Sequence, residues 1–134
     1  MDNLTPEQRK KNMRRIRSEN TNPERLLAAG LRKRKVKFIR HDKTLPGKPD
    51  IVIREGKTAV FVDSDFWHGN PKRFIKPKTN TDYWKRKIAD NRRRDRRVSR
   101  LLKKDGWNVV RIWEYEIKHN MESCIRRIIR KSKE

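Results

Sequence analysis

The apolar residues of this chain are concentrated in a few short runs, and two of these runs predict a β-hairpin with acidic residues at its ends. The runs 51–53 and 59–62 have the length of short strands, and the residues between them include Gly56, which is typical of a tight turn. Asp50 precedes the first run and Asp63 follows the second, so the hairpin brings both carboxylates to the same edge of a sheet. Carboxylates gathered in this way suit a hard divalent cation such as Mg²⁺.

The rest of the chain is strongly basic. Lys and Arg number 39 against 17 Asp and Glu, which gives a formal net charge of +22 over 134 residues and a pI near 11.0. A polyanion such as a nucleic acid is the expected partner, and counterion release makes such binding salt-dependent. A metal site in a protein of this charge predicts phosphodiester chemistry, whereas the charge alone fits a ribosomal or histone-like protein that only binds.

Three features bear on where the protein works. No run approaches the roughly 20 apolar residues of a transmembrane helix, and the polar, charged N-terminal segment does not resemble a signal peptide. The single cysteine, Cys124, excludes an internal disulfide and a cysteine-based metal cage, and its isoleucine neighbours predict a small core residue. We therefore expect an intracellular, cytoplasmic protein, associated with the nucleoid and not with a membrane.

Capping signals and apolar periodicity predict the element order ααβββαβα. Thr5-Pro6-Glu7-Gln8 begins a basic helix with few apolar residues, so we expect residues 1–19 to form an arm that orders on its ligand. Residues 20–134 form one α/β domain, with strands predicted at 36–40, 50–54, 57–63 and 107–113 and helices at 22–34, 80–105 and 120–131. The long loop 64–80 is expected to be functional or disordered.

Polar side chains on two predicted helices point toward the core. Asn91 and Asp95 share the inward stripe of the longest helix with its apolar residues, and a buried carboxylate without a partner is costly. We therefore expect a cation or a hydrogen-bond donor beside Asp95. Glu24 shares a helix face with Leu27 and Leu31, and it either complements the helix dipole or belongs to a functional site.

These residues predict a candidate hydrolytic site. Mg²⁺ held by carboxylates supplies charge neutralisation and water activation for phosphodiester hydrolysis, with Asp50 and Asp63 as ligands and Glu24 as an outer-sphere contact. His68 is expected to be the only histidine beside this cluster, because His41 and His119 lie in other loops. His68 is either a structural loop residue or the base that takes a proton from water, oriented by Asp95.

Adjacent aromatic residues in the long loop suggest a contact with DNA bases. Phe66 and Trp67 either tuck into the core or act as a wedge between base steps, which kinks a duplex. Met13 and Ile16 on the basic first helix are expected to enter the opposite groove.

The chain resembles the very short patch repair (Vsr) endonucleases over nearly its whole length. The resemblance is carried by motifs in the same order along the chain: Lys11-Asn12-Met13-Arg14, Leu45-Pro46-Gly47-Lys48-Pro49-Asp50, Phe66-Trp67-His68, Pro77-Lys78-Thr79-Asn80, Tyr83-Trp84, Asn91 through Arg94-Asp95, and Gly106-Trp107 through Ile112-Trp113-Glu114. It implies a restriction-endonuclease-like, PD-(D/E)xK-type fold with a central mixed β-sheet flanked by helices. It also implies a Mg²⁺-dependent enzyme that nicks DNA beside a T:G mismatch.

The resemblance further implies roles for single residues. Asp50 matches the metal-binding aspartate, Val62 a carbonyl ligand, His68 the catalytic histidine and Asp95 its acidic partner. Phe66, Trp67 and Met13 match the intercalating group. Lys11, Arg14, Lys78 and Asn91 stand in the matching motifs and are expected to contact DNA.

The chain departs from typical members at two places. The positions of their structural zinc ligands hold Asp65, Asn70, Lys72 and Tyr115, so we predict no zinc. Asp63 stands where the typical site has a second histidine. The resulting set of Glu24, Asp50, Asp63, His68 and Asp95 resembles a Vsr-like subgroup that includes homing endonucleases.

The sequence is therefore consistent with three functions. The first is a monomeric Vsr-type endonuclease that nicks duplex DNA at T:G mismatches and needs no protein partner for cleavage. The second is a homing or restriction-type endonuclease that acts on undamaged duplex DNA, and the third is a non-catalytic basic DNA-binding protein. Aspartates that face inward argue against the third, because a protein that only binds has no use for their desolvation cost.

Overall fold

The structure is a computed structural model that describes residues 21–65, 68 and 81–133. The predicted first helix and seven of the predicted DNA contacts lie outside these residues: Lys11, Met13, Arg14, Ile16, Phe66, Trp67 and Lys78. The described elements follow the predicted order: α1 (Asn22–Lys33), β1 (Ile39–Arg40), β2 (Ile51–Ile53), β3 (Thr58–Asp63), α2 (Thr81–Lys104), β4 (Asn108–Trp113) and α3 (Glu114–Ser132).

The four strands form one mixed sheet in the order β1-β2-β3-β4. β2 pairs antiparallel with β1 and with β3, where Ile51 lies opposite Val60, so the predicted hairpin is present. β3 and β4 are parallel, with Phe61 opposite Arg111 and Asp63 opposite Trp113. The long helix α2 lies between β3 and β4 in the chain, as a parallel pair requires a crossover connection.

Helices cover both faces of the sheet. Alternate residues of a strand point to opposite faces, and Val60 packs in a core with α1 and α3, which includes Leu27, Leu31, Ile125 and Ile128. Ala59 and Phe61 point the other way and pack with Val98 and Leu102 of α2. Cys124 is buried in the first core, as predicted.

Two element boundaries differ from the sequence prediction. The first strand was expected from residue 36 but begins at Ile39, because the end of α1 uses the preceding residues. Lys35 adopts a left-handed conformation (φ 61°), and the Val36 N–H donates to the Leu31 carbonyl at 3.0 Å, which is the pattern of a helix stop. Val36 therefore belongs to the helix end.

The last helix also begins earlier than predicted, at Glu114 and not near residue 120. The carboxylate of Glu116 accepts a hydrogen bond from the Trp113 N–H at 3.2 Å, and acidic residues in the first turn favour a helix start. Asn120 has non-helical backbone angles and kinks the helix at the predicted start.

Within the described part of the chain, no helix combines the length and the apolar character needed to cross a membrane.

Candidate active site

The five predicted catalytic residues line one cavity at the edge of the sheet where β2 begins and β3 ends. The cavity has a volume of about 520 Å³ and is bordered by Glu24, Asp50, Asp63, His68 and Asp95. Glu24 lies on α1 and Asp95 on α2. Asp50 lies just before β2, Asp63 ends β3, and His68 follows β3. The fold therefore brings together residues from distant parts of the sequence.

Asp50 is held in place by the backbone on either side of it. Its Oδ2 accepts a hydrogen bond from the Val62 N–H at 2.7 Å, which ties the start of β2 to the end of β3. Its carbonyl accepts from the His41 N–H at 3.1 Å. Burial raises the pKa of Asp50 to about 7, and the nearby carboxylates of Glu24 and Asp63 add to the rise.

Glu24, His41 and Asp50 form the first cluster of possible metal ligands. One ligand atom from each residue lies within 4.8 Å of the others. Glu24 is 2% exposed, accepts a hydrogen bond from Arg40 Nη2 at 3.0 Å and contacts His41 Nε2. These contacts go beyond complementing the helix dipole, and the role of Glu24 in catalysis stays a prediction.

Asp63, His68 and Asp95 form the second cluster, again with ligand atoms within 4.8 Å of one another. His68 Nδ1 contacts Asp95 Oδ2 and lies 3.9 Å from Asp63 Oδ1. Burial lowers the pKa of His68, but the hydrogen bond to Asp95 and the charges of both aspartates outweigh it and raise the pKa above its usual value. Asp95 is half-buried, and His68 and Arg111 are the partners that its inward position predicted.

Asp63 is also buried, at 6% exposure. Burial raises the pKa of its carboxyl to about 6, although His68 and Arg111 oppose the rise. Arg111 on β4 donates to Asp63 Oδ1 through Nη1 at 3.0 Å. Asp63 and Asp50 fall in different clusters, so the predicted pair of ligands is divided between two neighbouring sets.

The donor set fits a divalent cation. Three buried or half-buried carboxylates, Glu24, Asp50 and Asp63, line the same cavity, and carboxylate oxygens are the ligands that Mg²⁺ prefers. Burial raises the pKa of Asp50, and its hydrogen bond comes from an uncharged backbone N–H, so a bound cation would stabilise its negative charge most. The Val62 N–H points toward Asp50; the ligand role of the Val62 carbonyl stays a prediction.

Comparison with known proteins shows which family the sequence matches. The family model described as DNA mismatch endonuclease Vsr matches residues 1–73. The type II nicking enzyme V.NmeDIP of Neisseria meningitidis serogroup C is 39% identical over 130 residues, which is 96% of this chain and 88% of that protein. The DNA mismatch endonuclease Vsr of Escherichia coli K12 is 39% identical over 107 residues, 79% of this chain and 69% of that protein.

The chain belongs to the Vsr family. A third relative, the type II nicking enzyme V.XorIIP of Xanthomonas oryzae pv. oryzae, is 41% identical over 117 residues, 87% of this chain and 86% of that protein. The predictions of a restriction-endonuclease-like fold and of a DNA endonuclease that nicks duplex DNA are thereby confirmed, and the binding-only alternative is set aside.

Basic side chains surround the Vsr-type cavity. Lys48 lies in the loop before β2, and Lys87 and Arg94 lie on α2 with Asn91 between them on the same face. Cations around buried carboxylates suit a phosphodiester backbone that passes over the cavity. Asn91, a predicted DNA contact, lines the cavity with them.

Two of the positions where typical Vsr members bind zinc are described. Asp65 follows β3, and Tyr115 lies in the first turn of α3 with its ring centroid 4.2 Å from that of His119. Asn70 and Lys72 lie outside the described residues. The absence of zinc stays a prediction.

Sequence reasoning missed two residues of the site. His68 was predicted to be the only histidine beside the carboxylates, which is wrong, because β1 ends beside the start of β2 and places His41 next to Asp50. Arg111 was treated only as part of a buried strand. A signal existed for Arg111, since a lone charged residue within an apolar strand needs a partner. No comparable signal pointed to His41.

Proposed function

We propose that this protein nicks duplex DNA at T:G mismatches, using Mg²⁺ held at Asp50 and a proton acceptor formed by His68 and Asp95. The observation that carries the proposal is that four carboxylates and His68, drawn from two possible metal-binding clusters, line one cavity bordered by cations in a chain of the Vsr family. Relatives named as a DNA mismatch endonuclease and as nicking enzymes support the substrate and the single-strand cut.

A divalent cation, when bound, supplies charge neutralisation at the phosphate and water activation. Asp50 is the main ligand in this proposal, because it is fixed by the Val62 N–H and has poorly compensated charge. Glu24 acts from the outer sphere and is kept in position by Arg40 and His41.

His68 carries the proton transfer. Its Nδ1 is engaged by Asp95, which leaves Nε2 as the ring nitrogen that can accept a proton from water. Asp95 fixes the ring and stabilises the imidazolium that forms, as a base-orienting carboxylate does in other hydrolases. The partly exposed position of His68 at the cavity wall allows it to reach the substrate.

We propose that residues 1–19 form a DNA-contacting arm and that residues 20–134 form the endonuclease domain. Met13, Ile16, Phe66 and Trp67 then enter the base stack, and Lys11, Arg14, Lys78 and Asn91 contact the duplex. The protein acts as a monomer, in the cytoplasm and on the nucleoid, and no other protein is required for cleavage.

Site-specific cleavage of undamaged duplex DNA, as by a homing or restriction-type enzyme, is the second candidate. The buried carboxylate of Asp63 favours it, because typical Vsr members have a histidine there and a carboxylate makes the site more like that of other metal nucleases.

End-labelled duplexes distinguish these functions. Duplexes with a T:G mismatch, a C:G pair or a T:A pair at the same position, labelled on each strand, are incubated with the protein with and without Mg²⁺. We expect a Mg²⁺-dependent nick in the thymine strand of the T:G duplex alone. Equal cutting of all three duplexes would replace the mismatch proposal with the second candidate, and no cutting of any duplex would contradict both. Asp50→Ala protein, purified in parallel, controls for contaminating nucleases.

A further inference from the structure

Arg111 is a charged residue in the middle of an otherwise largely apolar strand. It lies on β4 opposite Phe61 of β3, on the face of the sheet that α2 covers. Its side chain is 23% exposed. Burying a guanidinium costs free energy of desolvation unless its N–H donors have acceptors, so its contacts indicate its role.

All three guanidinium nitrogens of Arg111 are used. Nε donates to Ser99 Oγ at 3.2 Å, and Nη2 donates to the Asp95 carbonyl at 3.3 Å. Nη1 donates to Asp63 Oδ1 at 3.0 Å and lies 3.5 Å from Asp95 Oδ1. The guanidinium carbon is 4.2 Å from the centroid of the Phe61 ring, a cation–π distance.

We infer that Arg111 is a positioning residue for the nicking reaction. It fixes the carboxylates of Asp63 and Asp95 around His68, and Asp63 then serves as the counter-ion of Arg111 and His68 and not as a metal ligand. The inference rests on the proposed function, since it gives His68 and Asp95 their proposed roles. It assigns Asp63 a role different from the one predicted from sequence.

The geometry of the contacts supports this role. One cation joins the strand residue Asp63 to the helix residue Asp95, and both carboxylates face the ring of His68. Asp63 Oδ1 is already bonded to a full positive charge, which weakens the attraction of this carboxylate for a second cation. The hydrogen bond to Asp50 Oδ2, in contrast, comes from an uncharged backbone N–H.

Lysine cannot reproduce these contacts. The planar guanidinium directs donors to several acceptors at fixed angles and lies flat on an aromatic ring, whereas an ammonium is a point charge on a flexible stem. Arg111→Lys therefore keeps the charge but loses the bridge between β3 and α2.

A direct phosphate contact is the competing role for Arg111. The residue also borders a second cavity of about 430 Å³, which is lined by Asp95, Ser99 and three further basic residues, Arg96, Arg100 and Lys103. A phosphate contact there would affect DNA binding, and positioning of Asp63 and Asp95 would affect the rate on bound DNA. The two roles are therefore separable by measurement.

The test measures nicking under single-turnover conditions for Arg111→Lys, Asp63→Asn and the double variant, over a series of Mg²⁺ concentrations. We expect each single variant to lower the maximal rate on saturating DNA by about 10- to 100-fold, as is usual when an outer-shell partner is removed. The double variant should be no slower than the slower single variant, because both changes break the same contact. The Mg²⁺ concentration for half-maximal rate and the Kd for DNA should stay at the wild-type values.

Three results would overturn the inference. A higher Mg²⁺ requirement for Asp63→Asn, with the rate restored at high Mg²⁺, would make Asp63 a metal ligand. A weaker Kd for Arg111→Lys with an unchanged maximal rate would make Arg111 a phosphate contact. A wild-type rate for Arg111→Lys would remove its role altogether.

Controls separate these outcomes from folding and from the proposed function. Arg126→Lys changes an exposed arginine of α3 that borders neither cavity and should leave the rate unchanged. Thermal unfolding identifies a variant that fails to fold. Arg111→Ala then gives a second test: we expect added guanidinium ion to restore the nicking rate of this variant, and NaCl at the same concentration not to restore it. If the wild-type protein nicks no duplex, the proposed function is contradicted. If the wild type nicks and Arg111→Lys nicks at the same rate, only the role of Arg111 is contradicted.

Discussion

At the scale of single residues, the site places carboxylates where burial disfavours their charged form. Glu24 and Asp63 are almost fully buried, and Asp50 is raised in pKa chiefly by burial. Glu24 and Asp63 are each paired with an arginine, whereas Asp50 accepts its hydrogen bond from an uncharged backbone N–H. Asp50 is therefore the carboxylate that gains most from a bound cation.

This difference predicts a pH-dependent gain in stability for Asp50→Asn. The pKa of Asp50 rises from 3.8 to about 7 on folding, so its contribution to the stability of the metal-free protein is present at low pH and is lost as pH rises through about 7. The asparagine side chain of this variant stays neutral at every pH and keeps an oxygen that can accept from the Val62 N–H. We expect thermal unfolding in EDTA to show Asp50→Asn more stable than wild type at pH 8 and similar to it at pH 4. Equal stability at pH 8 would contradict the assigned environment.

The placement of a residue at the cavity was predictable from sequence where a local pattern marked it, and the catalytic roles stay predictions. Asp50, Asp63 and Asp95 stand at strand ends or on an inward helix stripe, and the structure brings them to one cavity. His41 and Arg111 were missed because their contacts depend on how the strands pair, although the lone charge in the apolar strand β4 was a signal for Arg111. Strand register is set by the whole sheet and cannot be read from one segment.

At the scale of elements, the loop between β1 and β2 depends on Gly47. This residue has φ +76°, and a Cβ added to it would lie 2.5 Å from Val98 Cγ1 of α2 and 3.3 Å from the Phe61 ring. The close approach holds the loop against α2 just before Asp50. Glycine is required here both for its backbone conformation and for space.

Gly47→Ala should therefore destabilise the protein by about 1–3 kcal/mol, the usual cost of overpacking a filled core. Gly30→Ala is the matched control: its added Cβ would come closest to the end of the flexible Ile125 side chain, at 2.6 Å, and its φ is not in the left-handed range. Urea unfolding measures both variants. A Gly47→Ala protein as stable as Gly30→Ala would show that the loop does not need this conformation.

Element order was predictable and element boundaries were less so. Hydrophobic runs and capping residues gave the hairpin and the three described helices, because these signals are local. β1 is shorter than predicted because the end of α1 takes up Val36, and α3 begins earlier because Glu116 caps it. Both differences result from contacts at the junction of two elements.

At the scale of the whole molecule, the net charge of +22 should dominate DNA affinity. Most of this charge strengthens binding to DNA of any sequence, and the fold places part of the charge around the cavity. Lys87 and Arg94 of α2 border the cavity beside Asn91. They are therefore expected to neutralise phosphates next to the cleaved bond.

The double variant Lys87→Gln/Arg94→Gln should reduce the slope of log Kd against log salt by roughly two, since each phosphate contact contributes about 0.9. Fluorescence anisotropy with a labelled duplex measures this slope. The double variant Arg126→Gln/Arg130→Gln removes the same charge from exposed positions on α3 that do not border the cavity, and should change the slope less. Equal slopes for the two double variants would contradict the proposed path of the DNA.

We propose that Asp50 serves the reaction and neither the fold nor DNA binding, and this role can be tested on one duplex. Mg²⁺-dependent nicking of a T:G duplex, and binding of the same duplex, are measured for wild type, Asp50→Asn and Asp42→Asn. Asp42 is a buried aspartate from the same loop, bonded to Thr44 and Arg54 and outside the cavity. We predict that all three proteins bind and that Asp50→Asn alone does not nick. Nicking by Asp50→Asn at the wild-type rate would contradict the account.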